Sequence, residues 1–190
     1  RRRLNRCTTL VSVNAPAARP TPHSTSKPIQ RPQGKRSLRF VVGRDTRESG
    51  AWIEEELARG AGSEGASVTS AGVIPTPAIA YVTPAMAFDA GIVISASHNP
   101  FEDNGIKVFS GKGEKFTETL EREVESIVAR TDWAVPPSAV ARFDRTNVVD
   151  EYMAHTRLAF PDAKRLAGAK LAIDTANGAT TTVAPRLFTE

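Results

Sequence analysis

Apolar and polar positions alternate along residues 39–190 in blocks that predict strands and helices. Phe40–Gly43 and Gly91–Ile94 are short runs of apolar, mostly β-branched residues, as expected of strands that are buried on both faces. A weaker strand is predicted over Ser67–Ser70, and another over Ile106–Phe109. Because helical patterns separate most of these runs, the chain is predicted to adopt an α/β fold.

Three helices are predicted from apolar residues at helical spacing. The first follows Ser49, which is predicted to be its N-cap. Its apolar face consists of Ile53, Leu57 and Ala61. The second is predicted to begin with Thr76 as its cap and Pro77 at its first position, and to end near Ala87. Thr117 is predicted to cap the third. The apolar face of this third helix consists of Leu120, Val124, Ile127 and Val128.

The last third of the chain has a different pattern. Residues 133–146 contain a Pro-Pro pair and predict a linker, and Val148–Phe160 predicts a helix. Lys170–Asp174 predicts the first strand of a second unit, and Val183–Leu187 lies in the helix that follows it. Since one strand and one helix cannot enclose a core, the rest of this unit is expected beyond Glu190.

The first 38 residues are expected to form a disordered basic tail. They are rich in Arg, Pro, Ser and Thr, and they lack any sustained hydrophobic period. A composition with many arginines and serines but no acidic residue fits an organellar transit peptide. The other interpretation is that the segment is not native and arises from translation in a wrong frame, which would also explain an initial Arg. We favour the second interpretation.

The basic charge of the chain comes from its first residues. The 190 residues carry a formal net charge of +4, but residues 1–40 contain 10 of the 25 Lys and Arg and no Asp or Glu. The remainder has 15 basic and 21 acidic residues, so nucleic-acid binding by the folded part is not expected. No apolar run approaches the ~18 residues that span a membrane, and the single cysteine, Cys7, fits a reducing compartment. These features favour a cytoplasmic protein.

A polar loop, Ser95–Pro100, follows the predicted strand Gly91–Ile94. The carboxyl ends of strands are where α/β sheets usually carry their chemistry. On residue types alone, Ser97 and Asn99 are more typical of turn hydrogen bonds than of catalysis. A serine hydrolase is disfavoured, because the side chains of Ser97 and His98 point apart in an extended segment and the G-x-S-x-G motif is absent.

Basic residues near this loop favour a phosphate on Ser97. The Asp103–Gly105 turn can return Lys107 to the side of the serine, where an ammonium group would stabilise an anion. Arg44 and Arg47 follow a neighbouring strand and precede a helix N-terminus, which also favours anions. The alternative for these arginines is a solvent-exposed pair without a ligand.

Four segments resemble the α-D-phosphohexomutases. They are GIVISASHNPFEDNGIKVFS, VVGRDTRESG, GVIPTPAIAYVT and GAKLAIDTANGAT, and they occur in the family's order across residues 39–190. The resemblance is closest to the bacterial phosphoglucosamine mutases. It implies a three-layer α/β/α first domain over residues 39–146, incomplete at its N-terminus. It also implies that residues 147–190 are a linker helix and the first βα unit of a second domain.

The resemblance implies a role for each candidate site residue. Ser97 would carry the transferred phosphoryl group, and an oxygen of that group would supply one ligand to Mg²⁺. His98 and Lys107 would have acid–base and electrostatic roles around the phosphoryl group. Supporting roles near the phosphate would fall to Asn99, Arg44 and Arg47.

The implied reaction is the interconversion of glucosamine 6-phosphate and glucosamine 1-phosphate through a phosphoserine and a bisphosphate intermediate. The DNGIK ending favours this phosphosugar over the substrates of phosphomannomutase and phosphoglucomutase relatives. The family's opening GTDGIRG-like loop, its three-aspartate metal loop and its sugar-binding loop have no counterpart here, so the chain alone is expected to be inactive. The alternative is a non-catalytic α/β module in which the basic arm binds acidic partners.

Overall fold

A four-stranded sheet forms the centre of the protein. The computed structural model describes residues 36–130, 134–144, 146–159 and 161–189. The strands are β1 Arg39–Arg44, β2 Ser67–Val73, β3 Ala90–Ile94 and β4 Ile106–Ser110. The helices are α1 Glu48–Ser63, α2 Thr76–Ala85, α3 Glu118–Val128, α4 Val148–Leu158 and α5 Ala184–Thr189. Two 3₁₀ turns cover Ala163–Leu166 and Ala179–Thr181.

The strand order, β2-β1-β3-β4, places the ends of three strands together. Strand β1 is parallel to both β2 and β3, and β4 returns antiparallel to β3. Arg44 pairs with Ile94, and Ile94 also pairs with Ile106. The loops that leave β1 and β3 therefore lie side by side, at the edge where β4 begins.

The sheet is covered on both faces, which confirms the predicted three-layer α/β/α architecture. Because successive strand residues point to opposite faces, Val41 packs with α2 and α4, while Val42 packs with α1. One core contains Ile74, Ile79, Val82, Val93 and Phe109. The other contains Ile53, Ala58, Val68, Ile92 and Ile94.

Helix α2 approaches β3 closely at Gly91. A Cβ atom at this position would lie 2.2 Å from Thr83 Oγ1 and 2.8 Å from Ile79 Cγ2. No real Cβ tolerates such distances, so this glycine is required by packing and not by backbone conformation.

Two predicted caps are wrong, and the third is confirmed. Helix α1 begins two residues after Thr46, with Arg47 and not Ser49 at its N-cap, because Asp45 Oδ1 already accepts from the Arg47 amide at 3.0 Å. For α2, the N-cap is Pro75 in place of Thr76, and the helix ends at Ala85. Thr117 caps α3, and its side chain accepts from the amide of Leu120.

The predicted strand over Lys170–Asp174 is absent, so that prediction is wrong. Leu171 is 54% exposed and Ile173 is 47% exposed. A strand needs a neighbour to pair its amides and carbonyls, and no described strand lies beside this segment. The alternation of Leu171 and Ile173 alone is therefore insufficient to form the strand.

The residues after 147 pack on the first core. Val148 and Met153 of α4 are buried with the α2 side chains, and the Tyr81 ring stacks on His155 with ring centroids 3.7 Å apart. The predicted helix Val148–Phe160 is confirmed as α4, although its last residue lies outside the described residues. The division into domains at residue 146 stays a prediction.

The predicted linker runs beside the open edge of β2. Within the described part of it, residues 134–144, the Asp144 amide donates to the Val68 carbonyl at 2.7 Å. Arg59 Nε donates to the Ala139 carbonyl at 3.1 Å. This segment therefore pairs with part of an edge that would otherwise present free backbone groups. The predictions for residues 1–35 and for Trp133 lie outside the described residues.

No helix in the described ranges is long and apolar enough to cross a membrane.

Candidate functional site

A polar cleft of about 640 Å³ lies at the carboxyl ends of β1 and β3. Its walls are the loop after β1, the loop after β3, and a turn near the C-terminal end of the chain. The amide of Ser95 donates to the Gly105 carbonyl at 2.8 Å, which closes the base of the loop after β3. Ser97 and His98 therefore lie on a loop whose base is fixed by this hydrogen bond.

Ser97 is exposed at this cleft in an unusual backbone conformation. Its φ is +58°, in the left-handed region that non-glycine residues rarely adopt. Its amide donates to Ser95 Oγ at 3.1 Å, and that hydroxyl donates to Asp45 Oδ2 at 2.7 Å. Such backbone strain persists only where neighbouring contacts enforce it, and it is concentrated at functional sites.

Asp45 and Arg47 form a buried ion pair under the loop. The Arg47 Nε donates to Asp45 Oδ2 at 3.0 Å, and the exposed fractions of the two side chains are 9% and 12%. The pair is therefore largely removed from solvent. A buried ion pair is tolerated only when its remaining polar atoms are also hydrogen-bonded.

The rest of the Arg47 guanidinium binds carbonyls of the loop. Its Nη2 donates to the carbonyls of Ser97 and Asn99, both at 3.0 Å. Its Nη1 donates to the carbonyl of Asp103 at 2.9 Å and to that of Pro100. The loop thus folds around one side chain that comes from the neighbouring strand end.

His98 and Asn99 stand beside the serine on the cleft wall. His98 is exposed, so its imidazole is accessible to a ligand in the cleft. Asn99 is half-buried, and its Nδ2 donates to Asp103 Oδ2 at 3.4 Å. Phe101, at the rim, is 80% exposed.

Lys107 is half-buried on β4, paired with Val93, and does not line the cleft. Burial lowers the pKa of its ammonium group, and the positive charge of Lys115 lowers it further. The carboxylate of Asp45 acts in the opposite direction.

Arg44 also lies outside the cleft lining. Its Nε donates to Glu54 Oε2 at 3.0 Å, and Glu54 is only 5% exposed. Ser70 Oγ donates to the second oxygen of the same carboxylate. The structure therefore places Arg44 in an ion pair between β1, α1 and β2, away from Ser97.

The opposite wall of the cleft was not among the predicted site residues. Ala176 and Asn177 have φ values of +47° and +51°, and Gly178 N donates to the Thr175 carbonyl at 2.7 Å. This tight turn is tied to the loop after β1, because the Thr46 hydroxyl donates to the Asn177 carbonyl. The Asn-Gly pair signals a turn in sequence, but nothing local shows that the turn faces Ser97.

Other residues of the network were also missed. The position of Asp45 between two arginines indicates that it can hold one of them, and it does pair with Arg47, but the sequence does not show that Asp45 and Ser95 contact each other. Only the parallel pairing of β1 with β3, seen in the bond from the Asp45 amide to the Ile94 carbonyl, brings them together.

The described residues do not build a magnesium site by themselves. Among them, no group of three or more His, Cys, Asp or Glu side chains is placed to hold a metal ion. Mg²⁺ prefers octahedral oxygen ligands. The carboxylate nearest to Ser97 in the network, Asp45, is already bonded to Arg47 and Ser95. A metal at Ser97 would need ligands from outside these ranges.

Residues 28–135 match the family model of the phosphoglucomutase/phosphomannomutase α/β/α domain I. That match covers more than half of the chain and includes the whole sheet and the loop that carries Ser97. The chain belongs to this family. The family's first domain thus accounts for the three layers of the fold.

Individual relatives agree with the family assignment. The chain is 44% identical over 162 residues to the phosphoglucosamine mutase of Syntrophobacter fumaroxidans, covering 82% of this chain and 36% of that protein. It is 46% identical over 158 residues to the phosphoglucosamine mutase of Bdellovibrio bacteriovorus, with 80% and 34% covered. The chain therefore spans about a third of the length of these relatives.

A solved structure shows the same fold. A phosphoglucomutase/phosphomannomutase family protein from Burkholderia thailandensis superposes with a TM-score of 0.56 at 25% sequence identity. The superposition covers 80% of this chain and 33% of that protein.

Proposed function

We propose that Ser97 carries a phosphoryl group and that the chain is the serine-bearing part of a phosphoglucosamine mutase. The observation that supports this most directly is the exposed hydroxyl of a strained serine on a tightly bonded loop at the cleft. The substrate assignment, glucosamine 6-phosphate and glucosamine 1-phosphate, rests on the named relatives at 44% and 46% identity.

The proposed step is one phosphoryl transfer that runs in both directions. A hydroxyl oxygen of the sugar attacks the phosphorus of phosphoserine 97, a new P–O bond to the sugar forms, and the bond from phosphorus to Ser97 Oγ breaks. The proton of the sugar hydroxyl passes to the imidazole of His98 and from there to Ser97 Oγ. The bisphosphate then reorients, and the reverse transfer from its other phosphate restores the phosphoserine.

The other candidate residues have supporting roles in this proposal. Lys107 contributes positive charge beneath the loop, and the carbonyl and side chain of Asn99 shape the turn beside His98. Arg44 acts at a distance by fixing the end of β1 through Glu54. An oxygen of the phosphoryl group on Ser97 would supply one ligand to Mg²⁺, which neutralises charge in phosphoryl transfer when bound. We place the enzyme in the cytoplasm, in keeping with its one cysteine.

Phosphorylation of Ser97 tests this proposal. Because the chain alone is expected to be inactive, we would first replace the matching third of the Bdellovibrio bacteriovorus relative with residues 39–190. We would incubate this hybrid enzyme with glucosamine 1,6-bisphosphate and Mg²⁺, then locate the added phosphoryl group by mass spectrometry. We expect a single group on Ser97, none in S97A, and wild-type labelling in S63A, because Ser63 is an exposed serine of α1 far along the chain from the cleft. Equal labelling of S97A would overturn the assignment.

A further inference from the structure

We propose that Arg47 is a positioning residue, which fixes the backbone of the Ser97 loop and does not bind the phosphate. This inference rests on the proposed function of Ser97, because it concerns how that hydroxyl is aimed. The arginine stands at the N-cap of α1, on the strand end next to the loop, and its side chain is 9% exposed.

The hydrogen bonds of Arg47 leave it no donor for a ligand. A guanidinium has five N–H groups in a fixed planar fork. One donates to Asp45, and the others donate to the carbonyls of the loop at residues 97, 99, 100 and 103. A phosphate could bind this arginine only after it had broken one of these bonds.

The same bonds hold Ser97 from both sides. Its amide is tied to Asp45 through Ser95 Oγ, and its carbonyl accepts directly from Arg47 Nη2 at 3.0 Å. Asp45 and Arg47 are themselves an ion pair. Both peptide groups that flank the Ser97 Cα are thus attached to one rigid unit, which enforces the φ of +58°.

Without the guanidinium, this conformation loses its support. Four loop carbonyls would be left to solvent, and Ser97 would relax toward the extended region that non-glycine residues prefer. The Cα–Cβ bond would then turn, and the hydroxyl would leave its place in the cleft. Lysine cannot substitute, because its ammonium has three donors without a planar arrangement.

Amide hydrogen exchange tests the loop directly, with no need for a ligand. We would compare the full chain with R47M, R47K and the control R59M, since Arg59 bonds to Glu56 and to the Ala139 carbonyl on the far side of α1. We expect exchange in a peptide covering residues 95–104 to rise about tenfold or more in R47M and R47K, with β1 and β2 still protected. R59M should leave the loop unchanged.

Phosphorylation kinetics distinguish positioning from ligand binding. In the hybrid enzyme described above, with glucosamine 1,6-bisphosphate as donor, we expect the maximal rate of Ser97 labelling to fall on the order of 100-fold when R47K is introduced. The half-saturating donor concentration should stay within about twofold of the wild type, because Arg47 makes no contact with the donor. The proposal is overturned if the loop of R47M exchanges at the wild-type rate, or if R47K raises the half-saturating donor concentration well beyond twofold. The second result would make Arg47 a phosphate ligand.

The two proposals fail separately. If the hybrid enzyme with the wild-type residues takes up no phosphoryl group on Ser97, the proposed function fails, while the exchange data alone still decide whether Arg47 orders the loop. If the wild type is labelled and the loop of R47M exchanges at the wild-type rate, the positioning role fails and the proposed function stands.

Discussion

The ion pair between Arg44 and Glu54 provides a sharp test of how the end of β1 is held. Glu54 has a side chain that is 6% exposed, and its partner is 24% exposed. Removing one member of a buried pair leaves an uncompensated charge and typically costs 3–5 kcal/mol. Because water reaches part of Arg44, we expect E54L to lower the free energy of unfolding by about 3 kcal/mol, near the lower limit of that range.

The double variant R44M/E54L is compared with the wild type and with each single variant. In R44M/E54L both charges are gone and two apolar side chains of similar length face each other, a change that is often neutral or better. We expect the double variant to unfold within about 1 kcal/mol of the wild type, so that the coupling energy exceeds about 2 kcal/mol. Ser70 loses its acceptor in both E54L variants, so its contribution cancels between them.

Urea unfolding, followed by fluorescence or circular dichroism, measures all four proteins of this cycle. With a slope of about 2 kcal/mol per molar urea, E54L should shift the midpoint down by about 1.5 M. If the double variant loses the sum of the two single losses, the arginine and the carboxylate act independently and the ion pair does not hold the end of β1. A cost of zero for R44M alone would contradict the ion pair in the same way.

Two further predictions concern packing and charge. G91A should destabilise the protein by about 2 kcal/mol in the same urea assay, since its Cβ would overlap Thr83 and Ile79. The control G62A, in the open part of α1, should stabilise the protein by roughly 0.5–1 kcal/mol through helix propensity. Equal effects of the two substitutions would contradict the close approach of α2 to Gly91. The pKa of Asp89 is held below its usual range, first by a hydrogen bond from the Arg39 amide and then by Arg36. The ionised carboxylate therefore stabilises the fold at any pH above the usual pKa of aspartate. This stabilisation is lost as the pH falls through the lowered pKa. The difference in unfolding free energy between wild type and D89N should therefore shrink in acid, below about pH 3.9, and a difference that grows there would show the wrong sign.

The sheet and its helices were predictable because their signals are local. Gly91–Ile94 and Phe40–Gly43 are too apolar and β-branched for any exposed element, and Thr117 precedes a clear helical period. The N-caps of α1 and α2 could not be predicted, since polar residues one or two positions apart can each begin a helix. At α1, the Asp45 side chain accepts from the Arg47 amide, and this bond places the N-cap at Arg47.

The strand expected at Lys170–Asp174 shows a different limit. Its apolar residues, Leu171 and Ile173, alternate as in a strand, but strand formation depends on a partner elsewhere in the chain, which a local pattern cannot report. The same limit applies to the cleft at Ser97, because local sequence does not show which distant residues meet there. Ser97, His98 and Asn99 were found because they are adjacent in sequence. Four of the five hydrogen bonds of Arg47 reach carbonyls 50 to 56 positions away, and the opposite wall at Ala176–Gly178 lies more than 70 positions from Ser97.

The left-handed backbone of Ser97 also limits which amino acids this position can hold. A second branch on Cβ makes that conformation costly, so threonine is excluded although its hydroxyl has the same chemistry. Aspartate and asparagine tolerate the conformation and would keep the loop intact without offering a hydroxyl. If Ser97 has the proposed role, this position must meet two independent requirements, a left-handed backbone that admits few side chains and a hydroxyl that accepts a phosphoryl group, and serine meets both.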